Sequence, residues 1–400
     1  MLMKNFRILL VVLTASSIAS FVAAQTWTQT SAPGTNWTCV ACSADGVRLA
    51  ATTAPGGIYV STNSGGTWTL CTNAPVTLSV SPFTPYQWSS IAGSADGSQL
   101  VATSDSFMPV AAFPGWVYIS TNLGGNWTQS SAPGGHMNWI SSGAAASGAT
   151  MIVADSFGGI YTSTDHGANW SSNNAPTVAW TRLAVSADCT RWAGVVYGGA
   201  IYTSTDSGAT WVTNNVANRN WRCIASSGDG MKLVAAVYGG GVYISTNAGG
   251  VWTQTIAPSK NWQAVASSTD GSRLAAGANN GGIYFSTNSG ATWIQTGAPT
   301  TNWTSIVVSA DGSRWVAASS KAGIYTCYVP NAPLLNLASG NNRMTLSWIV
   351  PATNLVLQRT TNFTKWSSLT NAPALNLTNL QREMWLIPSN RNEFFRLKTP

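Results

Sequence analysis

Two aspartates stand apart from the other acidic residues of the chain. Ten aspartates and no glutamate lie between residues 25 and 327. Asp105 and Asp155 each begin an Asp-Ser-Phe triplet, whereas the other eight occupy recurring turn positions: Asp45, Asp96, Asp165, Asp188, Asp206, Asp229, Asp270 and Asp311. A carboxylate pair can hydrolyse a glycosidic bond, one group protonating the leaving oxygen while the other activates water or attacks. The alternative is a pair of Asx-type turns that recur because the surrounding sequence recurs.

The chain is organised by an eight-residue pattern, Ser-Thr-(Asn or Asp)-x-Gly-x-x-Trp, which we call the box. Its six copies begin at Ser61, Ser120, Ser163, Ser204, Ser245 and Ser286, and the tryptophans of the last four stand 41 residues apart. A fixed period near 40 residues is typical of repeat architectures. In the fourth copy we predict that Asp206 bonds to the amides of a turn, Gly208 supplies a positive φ and Trp211 covers the turn.

A second tryptophan series defines repeating units, numbered 1 to 7, that begin at Trp37, Trp88, Trp139, Trp180, Trp221, Trp262 and Trp303. The pattern of each unit predicts four strands, with the box between the third and the fourth. Unit 7 lacks a fourth strand, and we expect residues 27–30 to supply it by pairing with the strand at Ile324. These features predict an all-β, seven-bladed β-propeller closed by the N-terminal strand. An open stack of hairpins is the alternative.

The tryptophans that begin the units have two interpretations. They could ring the mouth of a central channel and stack on sugar rings, because the C–H faces of sugars suit an aromatic plate. Alternatively, they pack between neighbouring units as part of the core.

The box resembles the Asp-box (BNR) repeat of sialidase-like β-propellers, over roughly residues 25 to 327. Sialidase chemistry would imply an arginine cluster, an acidic general acid and a tyrosine activated by glutamate, but this region contains no glutamate. Other Asp-box propellers cleave plant polysaccharides with two aspartates, a role for which Asp105 and Asp155 are the candidates here. Still others, such as sortilin-like receptors and photosystem II assembly factors, bind proteins.

Departures from the regular spacing predict where binding residues lie. The distance from Trp68 to Trp88 is 20 residues where regular units have 10, and that from Trp88 to Trp127 is 39 where they have 31. Both insertions, near 76–86 and 107–116, fall on the face opposite the boxes, and function usually resides in such loops. The candidate binding residues on or near this face are Asp105, Phe107, Trp116, His136, Asp155, Phe157, Arg182, Arg219 and Arg222.

Charge and cysteine content narrow the possible functions. Residues 25 to 327 carry ten Lys and Arg against ten Asp, a net charge of zero, which disfavours nucleic acid as a partner. Five of these cations recur after the first turn and are expected at solvated edges: Arg48, Arg191, Lys232, Arg273 and Arg314. The six cysteines match no zinc pattern, and we interpret them as small buried residues with one or two bridges. We predict no metal and no cofactor.

The two ends of the chain differ from the repeats. Residues 1–24 have the positive start, apolar run and small-residue cleavage site of a secretory signal peptide, so we predict a secreted, periplasmic or cell-surface monomer that meets the membrane only through that signal. Residues 328–333 read as a linker. Residues 334–400 alternate like a small β-sandwich with a net charge of +5 (seven Lys and Arg against two Glu) and resemble a C-terminal module of secreted proteins from Verrucomicrobia-like bacteria.

Together these observations favour a non-catalytic binding propeller that recognises a polysaccharide, another surface glycan or a protein through the face opposite the boxes. The alternative is a glycoside hydrolase that uses Asp105 and Asp155.

Overall fold

The computed structural model describes residues 26–75, 87–105, 115–133 and 138–329, together with seven strands of the C-terminal region. Every regular element in these residues is a β-strand. Accordingly, the described part of the chain contains no helix of the length and apolarity needed to cross a membrane. The predictions for residues 1–24, Phe107 and His136 lie outside the described residues.

The repeating units fold as antiparallel groups of four strands. In unit 1, each strand pairs with the next in chain order. The strands of units 1 to 3 are β2 (Trp37–Cys42), β3 (Leu49–Thr53), β4 (Ile58–Ser61), β5 (Thr69–Leu70), β6 (Trp88–Gly93), β7 (Leu100–Ser104), β8 (Val117–Ser120), β9 (Thr128–Gln129), β10 (Trp139–Ala144), β11 (Met151–Asp155), β12 (Ile160–Ser163) and β13 (Ser171–Ser172).

Units 4 to 6 repeat this order and are joined into one larger sheet. Their strands are β14 (Trp180–Val185), β15 (Trp192–Gly199), β16 (Ile201–Ser204), β17 (Val212–Thr213), β18 (Arg219–Ser226), β19 (Leu233–Gly240), β20 (Val242–Ser245), β21 (Thr253–Gln254), β22 (Lys260–Ser267), β23 (Leu274–Ala278), β24 (Ile283–Ser286) and β25 (Ile294–Gln295). The second strands β15 and β19 are long enough to pair with the first strand of the following unit. The Cα partners are Tyr197 with Asn220 and Gly199 with Arg219, then Tyr238 with Asn261 and Gly240 with Lys260.

Unit 7 consists of β26 (Trp303–Val308), β27 (Arg314–Ser319) and β28 (Gly323–Tyr328), and β1 (Trp27–Gln29) is the fourth strand of its sheet. Trp27 lies opposite Cys327 in this pairing. Its ring packs against Trp303, with centroids 6.2 Å apart, and its Nε1 donates to Thr296 Oγ1 at 3.0 Å. The first described strand of the chain therefore completes the last sheet of the repeat.

Backbone hydrogen bonds link the turns that follow the first strands of successive units. In each link the amide N–H of one turn donates to a carbonyl of the next, over 2.7 to 3.0 Å. The links run in the order Ala44, Ala95, Ala146, Ala187, Gly228, Thr269, Ala310 and back to Ala44. The first strands of successive units also contact one another, and β26 contacts β2.

The core lies between neighbouring units and is built around the tryptophans that begin them. All seven are at most 2 % exposed. Each meets the tyrosine of its own third strand edge to face, with centroids 5.1 to 5.6 Å apart. Trp37 also packs on Val316 and Ile324 of unit 7. Because no face of these rings reaches solvent, the sugar-stacking interpretation of this series is wrong and the packing interpretation holds.

The box has the turn geometry that its residue types predict. Asp206 Oδ1 accepts from Ser204 Oγ at 2.8 Å and from the Thr210 amide at 2.9 Å. Gly208 has a φ of +82°, and its carbonyl accepts from Trp211 Nε1 at 3.1 Å. The preceding residue, Ser207, is also left-handed, with a φ of +58°, which the sequence did not indicate. In this copy the box thus satisfies its polar groups internally.

Residues 330–400 form a compact part of their own, distinct from the residues up to Val329. Its described strands form two sheets, one of four strands and one of three. In chain order they are β29 (Asn336–Gly340), β30 (Arg343–Ile349), β31 (Val356–Thr360), β32 (Ser367–Ser368), β33 (Ala374–Asn376), β34 (Gln381–Leu386) and β35 (Phe394–Lys398). Tyr328, expected to begin a linker, instead ends β28 opposite Arg314.

Candidate functional site

The candidate site lies where the second strands end and the first strands begin, which we call the loop face. Consecutive antiparallel strands point in opposite directions, so the turns after the first and third strands share one face. Box amides confirm this by donating to the first turn of their own unit, as Ser207 N does to Thr190 O at 2.9 Å. The loop face is consequently the face opposite the boxes.

Asp155 is the last residue of β11 and caps the backbone around it. Its Oδ1 accepts from the Asn138 amide at 2.7 Å and its Oδ2 accepts from the Phe157 amide at 3.1 Å. The residue is only 2 % exposed, and burial raises the pKa of its carboxyl group despite these hydrogen bonds. This is the Asx-type capping that the sequence left open as an alternative to catalysis.

Asp105 occupies a different position from Asp155, although both begin an Asp-Ser-Phe triplet. The Asp105 amide donates to Gln87 O at 2.8 Å, as the Ser156 amide donates to Asn138 O at 2.9 Å. Asp105 is therefore equivalent to Ser156, and Asp155 is equivalent to Ser104. The two triplets are out of register by one residue, so the units do not present their carboxylates as a matched pair.

Trp116 lies beside the end of β7. Its amide donates to Ser104 Oγ at 3.0 Å, and its partly buried ring packs against the cluster around Trp88. Trp116 therefore contributes to the core of units 1 and 2 as well as to the loop face.

Arg182 and Arg222 lie on the first strands of units 4 and 5, where strand contacts bring them near each other. Arg182 Nη1 donates to the carbonyl of Ile140 in unit 3. Arg222 Nε donates to Gln263 Oε1 of unit 6 at 2.7 Å. The Arg222 side chain is exposed along part of its length. Its pKa is nevertheless lowered, first because the guanidinium is partly buried and second because the like charge of Arg182 is nearby.

Exposed aromatic residues also lie on the loop face. Phe157, in the loop after β11, is 68 % exposed, and Tyr197, near the end of β15, is 54 % exposed. Tyr197 and Tyr238 both lie close enough to Arg222 to influence its pKa. The sequence patterns used above did not point to these tyrosines or to Gln263. The available signal was Val-Tyr-Gly-Gly, which occurs at 196–199 and again 41 residues later at 237–240.

Arg219 is placed differently from the other two arginines. It is exposed on the extension of β18 that pairs with β15, and its guanidinium carbon lies 5.4 Å from the centroid of the Tyr243 ring. The structure therefore brings Arg182 and Arg222 together but gives Arg219 an aromatic partner of its own.

The sequence predicted solvated edge positions for the five recurring cations; Arg48 is exposed and the other four are partly buried, but all five also bond across units. Four of them donate to backbone carbonyls of the next unit or of Val329, and Arg314 donates to Ser64 Oγ. Arg48, for example, reaches Asp96 O at 2.6 Å. These cations tie neighbouring units together on the box face.

All six cysteines are free thiols, so the expected one or two bridges do not form. Burial raises the pKa of Cys42, Cys189, Cys223 and Cys327 to about 12, which keeps these thiols protonated and unreactive. Across the described ranges, no group of three or more His, Cys, Asp or Glu side chains is arranged to hold a metal ion.

Comparison with known proteins identifies the fold of the chain. No protein-family model matches it, and no curated protein matches it. YCF48 bound to a D1 peptide is 17 % identical with a TM-score of 0.58, covering 77 % of this chain and 95 % of that one. YCF48 from Cyanidioschyzon merolae is 16 % identical with a TM-score of 0.61, covering 76 % and 99 %.

A hydrolase has a similar structure as well. The GH74 xyloglucanase from Xanthomonas campestris is 15 % identical with a TM-score of 0.60, over 81 % of this chain and 59 % of the enzyme. A protein that binds a D1 peptide and a xyloglucanase thus share this architecture, and sequence identities this low show the fold alone. What the chain has in common with all three is a β-propeller fold.

Proposed function

We propose that residues 25–327 are a seven-bladed Asp-box β-propeller closed by its N-terminal strand, exported by the signal peptide 1–24. The pairing of β1 with β28 and the circular series of backbone hydrogen bonds support the blade number and the closure. Closure of this kind pairs the edge of β28 that would otherwise be open, so only the short outer edges of the fourth strands remain. Residues 334–400 would then be a small β-sandwich-like module on a secreted, monomeric protein.

The function that the geometry supports best is non-catalytic binding of a surface glycan or protein through the loop face. The observation that carries it is the exposure of Tyr197 near Arg222 and Arg182, with Phe157 exposed on the same face. Large aromatic side chains left in solvent next to cations are typical of binding surfaces. On the box face Tyr328 is 49 % exposed and lies under Arg314, but Arg314 is already bonded to Ser64 of the neighbouring unit, whereas most N–H donors of Arg182 and Arg222 are not used by the described residues.

Hydrolysis is the less favoured function because its two candidate carboxylates are not equivalent. A general acid and its partner must both reach the glycosidic oxygen or the anomeric carbon. Asp155 is buried, and both of its oxygens accept backbone hydrogen bonds. In unit 2 the place that Asp155 occupies in unit 3 is taken by Ser104, and Asp105 is the residue that follows it.

The test is a binding and release assay on the chain from Gln25 onward, with a panel of neutral and anionic polysaccharides. Affinity electrophoresis measures retardation, and a reducing-end assay measures cleavage. We expect retardation by at least one polymer without release of reducing ends. Tyr197→Asn, which installs the residue that unit 6 has at this place (Asn279), should weaken retardation about tenfold.

Two results would contradict the proposal. One is release of reducing ends that Asp105→Asn abolishes, which would establish hydrolysis. The other is retardation that is unchanged in Tyr197→Asn and in Phe157→Ala, which would move the binding surface away from the loop face.

A further inference from the structure

The paired arginines of units 4 and 5 differ from everything else at their positions in the repeat. The residue after the leading tryptophan is Thr, Ser, Ile or Gln in the other units and Arg222 in unit 5. The next residue is Cys, Ser or Ala elsewhere and Arg182 in unit 4. Two cations have therefore been added to adjoining first strands, at places where the repeat itself requires none.

The pair lacks a compensating negative charge within the described residues. The hydrogen bonds that its guanidinium groups form there go to the Ile140 carbonyl and the neutral amide of Gln263. Each guanidinium carries five N–H donors, so most of them remain available to a ligand. Like charges that are partly removed from water are unfavourable, and an anion placed between them relieves the repulsion.

The surroundings favour a sugar over a peptide as the carrier of that anion. A peptide that adds as a strand needs an exposed sheet edge, but here Tyr197 and Tyr238 pair their backbones with Asn220 and Asn261 of the next units. What remains exposed next to the arginines is the aromatic ring of Tyr197. A flat ring of this kind packs well against the C–H face of a sugar.

We propose that the loop face binds an acidic polysaccharide, with the carboxylate of a uronic acid held between Arg182 and Arg222 and a sugar ring packed on Tyr197. This inference rests on the proposed binding function and specifies its ligand. Binding involves no covalent step, and Gln263 acts by holding the Arg222 side chain in place.

The equivalent positions in other units show which residues can replace the two arginines in the test. Arg222→Gln installs the residue of unit 6, Gln263, and Arg182→Ser installs that of units 3 and 7, Ser141 and Ser305. The matched control is Arg48→Gln, which removes the same charge from the box face at a place where unit 2 has Gln99. Thermal unfolding of each variant checks that the fold is retained.

Three polymers separate the contributions of charge and sugar: polygalacturonate, carboxyl-reduced polygalacturonate and polyglutamate. We expect the protein to bind polygalacturonate, with an affinity that falls as salt rises. Reduction of the carboxyl groups, or either arginine substitution, should weaken binding about tenfold or more, as for the loss of charge-assisted hydrogen bonds. Arg48→Gln should leave it unchanged.

The outcomes also separate this inference from the proposed function. Equal binding of the carboxyl-reduced polymer, or no effect of Arg222→Gln and Arg182→Ser, would overturn the inference while the loop face could still bind a neutral glycan. Tighter binding of polyglutamate than of polygalacturonate would overturn it in favour of an acidic peptide. If Tyr197→Asn and Phe157→Ala also leave the binding of every polymer unchanged, the proposed function fails with it.

Discussion

The box face and the loop face of the repeat use the same strands in different ways. On the box face, each of the six boxes has the same serine, the same Asn or Asp acceptor and a left-handed glycine. On the loop face, the second-strand residue that pairs with the leading tryptophan is Ser104, Asp155 or Val237, depending on the unit. Contacts that recur in every unit hold the fold, whereas residues that differ between units are free to serve a ligand.

Asp155 is an instructive exception to this division. It differs between units and lies on the loop face, yet its carboxyl group is buried and caps the backbone. A difference between units therefore indicates function only where the side chain is exposed, as Tyr197 is.

The largest effect should come from a box glycine. A Cβ on Gly208 would lie 2.3 Å from Trp192 Cζ3, at a φ of +82°. Gly208→Ala should therefore lower the free energy of unfolding by about 3 kcal/mol, from left-handed strain and overpacking together. Urea denaturation measures it. Gly34→Ala is the control, because a Cβ there meets nothing within 4 Å.

The same variant also tests whether binding on the loop face is independent of the box face. Folded Gly208→Ala protein should bind polysaccharide like the wild type, because the substitution lies on the box face. Equal stability of the two glycine variants, or a selective loss of binding in Gly208→Ala, would contradict the conclusion that the box face holds the fold and the loop face binds the ligand.

An intermediate effect is expected at Asp155. Asp155→Ala leaves the Asn138 and Phe157 amides without their acceptor and should cost about 1 to 3 kcal/mol of unfolding free energy. Asp155→Ser should cost less, because Ser104 fills the same place in unit 2 and its hydroxyl accepts from the Trp116 amide. Denaturant midpoints for both variants decide this, and a wild-type midpoint for Asp155→Ala would show that the cap is not structural.

The smallest expected effect is on the pH dependence of the free energy of unfolding. Its sign should differ between a carboxyl group on the box face and one on the loop face. The hydroxyl of Ser186, followed by the Thr190 amide, lowers the pKa of Asp188 from 3.8 to about 2. Because the folded state binds this proton less readily, the stability that Asp188 contributes is lost as the pH falls from 3.8 towards about 2. Burial raises the pKa of Asp155, so its contribution instead grows as the pH falls through the folded-state pKa.

Urea denaturation at several pH values, from about 6 down to about 3, tests both signs. On acidification, the stability difference between wild type and Asp155→Ser should increase. The difference between wild type and Asp188→Asn should decrease. Parallel curves for the two pairs would contradict the assignment of these carboxyl groups.

The sequence predicted the features that depend on a single unit. Strand order and the roles of Asp206 and Gly208 follow from local residue types, and the resulting β-propeller fold is shared with the similar solved structures. Particular side-chain contacts between neighbouring units were missed. The bond from Arg48 to Asp96 O and the approach of Tyr197 to Arg222 cannot be read from a single repeat.

The triplets illustrate the same limit within one unit. Asp-Ser-Phe occurs in units 2 and 3, but strand pairing places the two copies one residue apart. Identical letters do not guarantee identical positions, because register is set by pairing with the first strand.

The circular series of backbone links has a practical consequence for protein engineering. Each link uses only main-chain atoms, and Thr269 and Gly228 make it as well as the alanines do. The side chains of Ala44, Ala146 and Ala187 are exposed, so they can be exchanged without removing a bond that joins the units. A cysteine, a dye or an affinity tag introduced at these alanines would occupy equivalent anchor points in units 1, 3 and 4, from which a multivalent display could be built.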